Sequence, residues 1–395
     1  MAVSDRKRRD KVRLIYLFLR ITINMTHRSF EGLKKNRNFA VSNQTKTMEQ
    51  QKVVISHDLR KALTEAIGEV SHDRLFILTD DITLQLCLPV IEGFECMQGA
   101  QSIVIGATDT NKTLDSLSHV WAELQRMGAT RHSLMVNLGG GMVTDLGGFA
   151  ASTFKRGIPY INIPTTLLSM VDASVGGKTG INFGGLKNEI GVFNNARSVI
   201  LDTTFLSTLD QENILSGYAE MLKHGLIDCE EHWAELIREE VTVNSEQFTA
   251  AIGRSVAVKQ RIVTEDPTEQ GIRKALNLGH TAGHAFESLA LERHPVLHGY
   301  AVAWGLIVEL YLCCVNTGFP TDKMRQTVSF IREHYGRMAI TCDDYPHLIE
   351  LMHHDKKNTG NTINFTLLGG IGDIRINQTA TEDEIREALD FYREG

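Results

Sequence analysis

Short apolar runs alternate with amphipathic stretches over the first half of the chain. The strand-like runs, each rich in Val, Ile or Leu, are residues 52–56, 74–79, 102–105, 133–138, 160–163 and 199–201. Stretches with apolar residues three or four positions apart, the spacing of an amphipathic helix, separate several of these runs. Apolar strands that alternate with helices predict a parallel sheet with helices on both faces.

After about residue 205 the periodicity becomes almost entirely helical. Helices are predicted at residues 210–226, 229–241, 246–264, 276–290, 298–315 and 321–335. A small hairpin follows over residues 363–376, and Thr381 with Glu384 has the spacing of a capping box that starts a last helix. We therefore predict a Rossmann-like α/β domain over residues 48–204 and a mostly α-helical domain over residues 205–395, with a cleft between them.

Composition and charge narrow the class of protein. Hydrophobic residues make up 42% of the chain and charged residues 23%, as in soluble globular proteins. Residues 1–47 contain 12 Lys and Arg but 3 Asp and Glu, a net charge of +9; since the whole chain carries −7, residues 48–395 carry −16. An acidic body argues against nucleic-acid binding, although a local basic pocket for an anion stays compatible with it.

The basic head resembles a signal peptide only superficially. Its apolar run, residues 14–19, is six residues long and no small-residue cleavage site follows. We expect residues 1–47 to be a poorly ordered extension, with Met48 as an alternative initiator, and we expect no membrane span. The six cysteines contain no C-x-x-C pair, which favours a reducing cytoplasm over a disulfide framework.

Two histidines, His280 and His284, stand four residues apart and so share one face of a helix. This spacing nominates a metal-ligand pair, but the glutamate base that usually lies between such histidines is missing. Histidines that line a polar cleft are the alternative. Glu220 and Lys223 on another predicted helix are either a surface ion pair or, in an apolar helix beside Gly217, a buried metal ligand and its neighbour.

Two glycine-rich segments suggest anion binding. Residues 139–141 follow a strand and open a helix, where glycines admit a phosphate, although Thr144 breaks the dinucleotide fingerprint and a plain tight turn is the alternative. Residues 175–180 resemble part of a P-loop, but Asp172 occupies the position of its first glycine, so we reject nucleotide hydrolysis. We interpret Lys178 and Lys187 as lysines held in glycine-rich loops that cradle an anion.

Together these features imply a metal and a dinucleotide acting on a phosphorylated, carboxylated substrate, and the motifs resemble those of the 3-dehydroquinate synthase family of sugar phosphate cyclases. The resemblance covers residues 48–395. It rests on Gly139-Gly-Gly-x-x-x-Asp145, Pro164-Thr-Thr-Leu-Leu168, Val171-Asp-Ala-Ser-Val-Gly-Gly-Lys-Thr-Gly180, Lys187-Asn188, Gly217-x-Ala-Glu220, Asn277-Leu-Gly-His-Thr-x-Gly-His284, His298-Gly299 and Asp355-Lys-Lys357.

The resemblance implies a lyase of the shikimate pathway of aromatic amino-acid biosynthesis. Its reaction cyclises 3-deoxy-D-arabino-heptulosonate 7-phosphate to 3-dehydroquinate and releases phosphate. Bound NAD transiently oxidises a hydroxyl, which allows elimination, and then returns the hydride before ring opening and aldol closure. A divalent metal, Zn²⁺ or alternatively Co²⁺, polarises the oxidised centre.

The resemblance also assigns residues. It places the metal on Glu220, His280 and His298, which replaces the pair that spacing alone suggests. It assigns catalytic roles to Asp172, Lys178, Lys223 and His284. The implied substrate contacts are Arg156, Lys178, Lys187, Asn188, Lys259, Arg273, Asn277, His284 and Lys356, with Lys259 and Arg273 on the carboxylate and Arg156 lent to the partner's site in a homodimer.

The implied NAD contacts lie around the strand ends. They are Asp80, Asp109, Lys112, Thr113, Gly140, Gly141, Asp145, Thr165, Thr166, Lys178, Lys187, Phe205 and Thr208. Three positions depart from the family pattern: Asp109 where Glu is usual, Thr144 where Gly is usual and Tyr300 where Glu is common.

Other functions remain open from the sequence. One is a related sugar phosphate cyclase, and another is a metal- and NAD-dependent alcohol dehydrogenase, which would accumulate NADH. A third is an inactive chain that serves as an oligomeric scaffold and binds neither metal nor NAD.

We predict that residues 1–47 are dispensable, because they lack a periodic apolar face and precede the first strand. A chain that begins at Met48 should keep the melting temperature and turnover of the full-length protein. A large loss of either quantity would show that the extension packs on the body.

Overall fold

The computed structural model describes residues 51–238, 243, 245–354 and 362–394. The predicted extension over residues 1–47 and the predicted substrate contact Lys356 lie outside the described residues. Residues 49–395 form one compact unit. The predicted domain boundary near residue 204 stays a prediction.

A six-stranded sheet forms the first half of this unit. Its strands are β1 (Lys52–Ile55), β2 (Leu75–Asp80), β3 (Gln101–Ile105), β4 (Leu134–Gly139), β5 (Tyr160–Pro164) and β8 (Ser198–Leu201). They run in the order β1-β8-β5-β4-β2-β3, and every described pairing is parallel. β2, β4, β5 and β8 are buried along their whole length, which explains their continuous apolar sequence. The predicted parallel sheet is confirmed.

The strand order contains a reversal between β2 and β4. From β2 the chain moves outward to β3 at the edge and then returns to β4 on the other side of β2. Because crossovers of parallel strands are right-handed, the connections that leave β2 and β4 pass over opposite faces of the sheet. Ligands bind at such a switch point, beyond the carboxyl ends of the strands.

An antiparallel hairpin, β6 (Lys178–Phe183) and β7 (Leu186–Phe193), interrupts this pattern. Our interpretation of Lys178 and Lys187 as loop residues was wrong, since each lies on a strand of the hairpin. Gly180 pairs with Gly191, and a Cβ at Gly180 would lie 2.5 Å from the carbonyl oxygen of Ile190. These glycines permit a close strand pairing, although glycines in a sequence usually predict turns or loops.

The helices flank the sheet and then form the second half of the unit. They are α1 (Leu59–Gly68), α2 (Asp81–Leu86), α3 (Leu88–Ile91), α4 (Leu114–Arg126), α5 (Gly141–Thr153), α6 (Gln211–Asp228), α7 (Glu230–Arg238), α8 (Glu246–Glu265), α9 (His280–Glu292), α10 (His298–Leu312), α11 (Thr321–Tyr335), α12 (Tyr345–His353) and α13 (Glu382–Glu394). The predicted terminal hairpin is β9 (Asn364–Gly370) with β10 (Asp373–Thr379). The short helices α2, α3 and α12 were not predicted.

The helices α9 and α10 pack backbone against backbone. A Cβ at Gly305 of α10 would lie 2.1 Å from the carbonyl oxygen of Gly279, and one at Gly283 of α9 would lie 3.0 Å from that of Ala301. Small residues at the crossing therefore let the two axes approach. This approach brings the first residues of the helices, His280 and His298, to ring centroids 5.5 Å apart.

Within the described part of the chain, one helical stretch, His298–Thr317, is long and apolar enough to cross a membrane, although the sequence predicts no membrane span. Most of it is buried inside the protein, as the core helix of a globular domain is.

We predict that Gly305→Ala destabilises the protein by about 1–3 kcal/mol, because the added methyl group meets backbone that cannot move independently. Thermal denaturation should show a lower melting temperature. Gly68→Ala is the matched control, since nothing lies within 4 Å of its Cβ position. Equal melting temperatures for the two variants would contradict the close helix crossing.

Candidate active site

Glu220 is the centre of a buried charged cluster. Its side chain lies on α6 with no exposed surface. His280 Nε2 and His298 Nε2 lie 3.3 and 3.5 Å from Glu220 Oε1, and Lys223 Nζ donates to Glu220 Oε2. Glu220 Oε1 itself accepts no hydrogen bond of good geometry. Three helices thus aim one carboxylate oxygen and two imidazole nitrogens at a common point.

Contacts on the far side of each imidazole set its orientation. The Nδ1 atom of His280 lies 3.1 Å from the carbonyl oxygen of Leu278, and that of His298 lies 3.4 Å from Glu287 Oε2. Each ring therefore turns its Nε2 atom toward Glu220. An acceptor behind the imidazole is the usual arrangement around metal-binding histidines, because it selects the tautomer whose other nitrogen can bind.

The pKa values of the two histidines shift in opposite directions. Burial lowers the pKa of His280 to about 4 despite the nearby Glu220 carboxylate. Burial also disfavours charge on His298, but the carboxylates of Glu287 and Glu220 outweigh it and raise its pKa to about 10. Burial opposes ionisation of Glu220 as well, yet Lys223 and His280 hold its pKa well below the usual range.

The described residues contain three groups whose ligand atoms lie within 4.8 Å of one another. They are Glu220, His280 and His298; His284, Glu287 and His298; and Asp172, Glu220 and His224. None of these groups joins His280 to His284, so the pair suggested by their spacing has no third ligand among the described residues. The rings of these two histidines stand edge to face with centroids 5.4 Å apart.

A second buried ion pair lies beside the cluster. Lys259 Nζ on α8 donates to Asp172 Oδ1 at 2.6 Å and to the Asp172 carbonyl oxygen at 2.5 Å. Asp172 belongs to a single π-helical turn, Ser169–Ala173, a conformation often found at functional sites. Burial opposes the charge of both groups; the pKa of Asp172 nevertheless falls because of Lys259 and Lys223, whereas that of Lys259 is lowered by its burial.

Glu269 was missed by the sequence analysis. It pairs with Lys178 Nζ and accepts from Asn277 Nδ2 at 3.0 Å, so it links two predicted substrate contacts. Its φ of 61° is in the left-handed region, which is uncommon for glutamate. No motif marks this loop residue, and a lone Glu in a polar stretch of sequence normally faces solvent.

Arg273, the predicted carboxylate ligand, is almost fully buried. Its Nη1 and Nη2 atoms donate to the carbonyl oxygens of Pro267 at 2.6 Å and Gly176 at 3.0 Å. Its Nε atom has no partner. In this structure the guanidinium thus holds the segment before β6 against the loop that carries Glu269.

Glu287 was also missed. Besides contacting His298, it accepts from Lys187 Nζ at 2.8 Å, and Lys187 Nζ lies 3.6 Å from Asp109 Oδ2. The signal was present, since Glu287 follows His284 by three positions and shares its helical face.

The predicted dinucleotide residues surround the switch point. Lys112 Nζ donates to Asp145 Oδ2 at 2.6 Å and to Asn188 Oδ1 at 2.5 Å. The N-terminus of α5 begins at Gly140 and Gly141 with no side-chain cap, which leaves its backbone N–H groups to an anion.

Several of the remaining predicted contacts have local hydrogen-bond partners. Asp80 caps α2 through Ile82 N at 3.0 Å and Thr83 N at 2.7 Å. The others are Thr113, which caps α4; Thr166, bonded to Ser169; Thr208, bonded to the Phe205 carbonyl; Thr165 and Phe205, which are buried; and Arg156, which is exposed.

Comparison with known proteins shows the family of the chain. The family model described as 3-dehydroquinate synthase N-terminal matches residues 102–216, and the one described as 3-dehydroquinate synthase C-terminal matches residues 217–358. The chain belongs to the 3-dehydroquinate synthase family. A 3-dehydroquinate synthase of Parabacteroides distasonis is 55% identical over 349 residues, which are 88% of this chain and 99% of that protein. The family resemblance inferred from the sequence is confirmed.

Solved structures show the same fold. ValA, the 2-epi-5-epi-valiolone synthase of Streptomyces hygroscopicus with NAD⁺ and Zn²⁺ bound, has a TM-score of 0.78 at 26% identity, with 87% of this chain and 97% of that chain covered. A 2-deoxy-scyllo-inosose synthase complexed with carbaglucose-6-phosphate, NAD⁺ and Co²⁺ has a TM-score of 0.76 at 22% identity, with 87% and 96% covered. The predicted fold class is confirmed.

Proposed function

We propose that this protein is a 3-dehydroquinate synthase, which cyclises 3-deoxy-D-arabino-heptulosonate 7-phosphate to 3-dehydroquinate and releases phosphate. The observation that carries the proposal is the cluster of Glu220, His280 and His298 in a chain that belongs to this family. Lys223 contacts Glu220, and Lys187 is linked to His298 through Glu287. The acceptors suit a metal, and the lysines suit a substrate with several negative charges.

The cluster fits a divalent metal. With metal–ligand distances of about 2.0–2.1 Å, tetrahedral geometry needs ligand atoms about 3.3–3.4 Å apart. The two measured separations from Glu220 Oε1, 3.3 and 3.5 Å, are close to that value. Glu220, His280 and His298 would hold Zn²⁺ or Co²⁺, and the metal would supply a Lewis acid for the substrate hydroxyl.

The switch point fits NAD. The uncapped start of α5 offers backbone donors to a pyrophosphate, and Lys112 and Lys187 add positive charge nearby. Asp109 lies 3.6 Å from Lys187 on the rim, where it can also reach a ribose. NAD would supply a hydride acceptor that is regenerated within each cycle.

The side chains of the cleft would bind and orient the substrate. Lys178, Lys187, Asn188 and Asn277 approach from the hairpin and the segment before α9, and we assign them to the phosphate and hydroxyl groups. A substrate phosphate that enters would compete with Glu269 for Lys178.

Other residues would move protons or set charge. His284, partly exposed beside His280, can exchange a proton with the substrate, and Lys223 favours the ionised form of Glu220. Lys259 holds the Asp172 carboxylate, which can orient substrate hydroxyl groups. We assign Lys259 and Arg273 as the cations that bind the substrate carboxylate.

We further propose a homodimer located in the cytoplasm. Lys155, Arg156 and Gly157 have φ values of 49°, 70° and 110°, an uncommon run that presents Arg156 on the surface. This supports an arginine lent to the partner's site. The neighbouring hairpin exposes Leu186 and Phe193, which supports a protein contact there.

The direct test is phosphate release from the seven-carbon keto-acid phosphate with zinc and a catalytic amount of NAD. We expect many equivalents of phosphate for each NAD and no net gain in NADH absorbance, because the hydride returns within the cycle. Steady NADH accumulation would instead identify an alcohol dehydrogenase. Binding of neither metal nor NAD would support the scaffold alternative.

A second test separates the histidines. His298→Ala should lose most of its metal, because it removes a direct ligand. His284→Ala should keep about one metal per chain while turnover falls by about 10²–10⁴-fold, the usual loss for a proton-transfer group.

Metal analysis of both purified variants, with activity measured at saturating zinc, decides between the assignments. Full metal in His298→Ala together with none in His284→Ala would restore the pair that spacing alone suggested and overturn the assignment given above.

A further inference from the structure

A row of charged side chains runs from Asp109 to the cluster around Glu220. Asp109 Oδ2 lies 3.6 Å from Lys187 Nζ, which donates to Glu287 Oε1 at 2.8 Å. Glu287 Oε2 lies 3.4 Å from His298 Nδ1, and His298 Nε2 lies 3.5 Å from Glu220 Oε1. Adjacent members of this row share contacts, so a shift in one member alters the position preferred by the next.

Glu287 occupies the middle of the row and divides its two oxygens between the two ends. One oxygen faces a lysine of the hairpin and the other faces an imidazole of the metal cluster. Its side chain is only 8% exposed, so water is a poor substitute for either partner. A carboxylate held this way cannot rotate to improve one contact without weakening the other.

The helix that carries Glu287 is itself firmly placed. Glu309, fully buried on α10, accepts from Gly279 N at 2.6 Å and from Ala282 N at 3.0 Å at the start of α9. The negative charge also complements the helix dipole. These contacts hold the start of the helix that carries Glu287.

The hairpin strand on the other side is held less firmly. All eight residues of β7 are exposed, so the strand has little apolar burial to fix it. The position of Lys187 consequently depends on polar contacts such as those with Glu287 and Asp109. A strand of this kind responds readily when one of these contacts is strengthened or lost.

We propose that Glu287 is a positioning residue that couples occupancy of the metal cluster to binding of the dinucleotide at Lys187. The inference rests on the proposed function for the identity of the two ligands. A metal on His298 fixes the imidazole, which fixes the Glu287 carboxylate, which in turn holds Lys187 in place for a phosphate group. Lys187 has then already lost its conformational freedom before NAD binds, so NAD binding loses less entropy. The two ligands therefore bind with positive cooperativity.

The coupling is measured with the full-length protein and four dissociation constants. They are those of NAD with and without zinc, and of zinc with and without NAD. We expect NAD to bind about fivefold tighter or more when zinc is present, within the usual range for coupled sites. The same factor must appear for zinc when NAD is present, because coupling of two equilibria is reciprocal.

Glu287→Gln is the informative variant. It keeps the size of the side chain and an oxygen acceptor but loses the negative charge that holds Lys187. The coupling factor should fall close to one, whereas the melting temperature without ligands should change little. Glu292→Gln is the matched control, because Glu292 ends the same helix on the surface, where it pairs with His347. This control should keep the wild-type factor.

Lys187→Gln tests the same path from the other end. It will weaken NAD binding with and without zinc, but the ratio of the two constants should also approach one. The double variant should show no further loss of coupling, since both changes break one connection. If the coupling factor between zinc and NAD is lost in Glu287→Gln but persists in Lys187→Gln, the coupling does not pass through Lys187.

The outcomes separate this inference from the proposed function. A wild-type factor of one, or a Glu287→Gln protein that keeps the wild-type factor, overturns the coupling while phosphate release leaves the proposed function standing. A wild-type chain that binds no zinc and releases no phosphate overturns both.

Discussion

The site is organised by the cost of burying the carboxylate of Glu220. A charge without access to water is strongly destabilising unless cations or donors surround it. Lys223, one turn along the same helix, and the imidazoles of His280 and His298 provide that environment. Three helices must therefore meet at one point, and the glycine-rich crossing of α9 and α10 allows the last two to approach closely enough. The same arrangement that stabilises the buried charge produces a site suited to a metal.

The other charged residues of the site are linked to this point by ion pairs between the two halves of the described chain. The hairpin β6–β7 is central, since Lys178 pairs with Glu269 and Lys187 with Glu287. The two lysines are exposed, but Glu269 is partly buried and Glu287 is buried, so these contacts are less open to water on the glutamate side than ordinary surface ion pairs are. Lys178 and Lys187 are each paired with a glutamate in this structure, so their positions depend on the segments that carry Glu269 and Glu287.

The fold was largely predictable because its signals are local. The continuous apolar runs of β2 and β4 are typical of strands buried on both faces, and the periodicity of α8 and α11 is that of helices with one buried face. The hairpin escaped prediction because β7 is exposed on every residue and Gly180 and Gly191 read as turn signals. Its stability comes from pairing and distant contacts, which have no periodic trace in the chain.

The sequence by itself determined the alternation of strands and helices, the presence of the glycine-rich turns and the motifs that indicate the family. It could also nominate His280, because a histidine at a helix start is visible in the chain. Only the tertiary structure decided its neighbours: Glu220, 60 positions earlier, and His298, 18 positions later, lie beside it, whereas His284 does not complete that group. Periodicity reports which residues share a face of one element. The distance between faces of different elements depends on how those elements pack, and therefore on contacts such as that of Gly305 with Gly279.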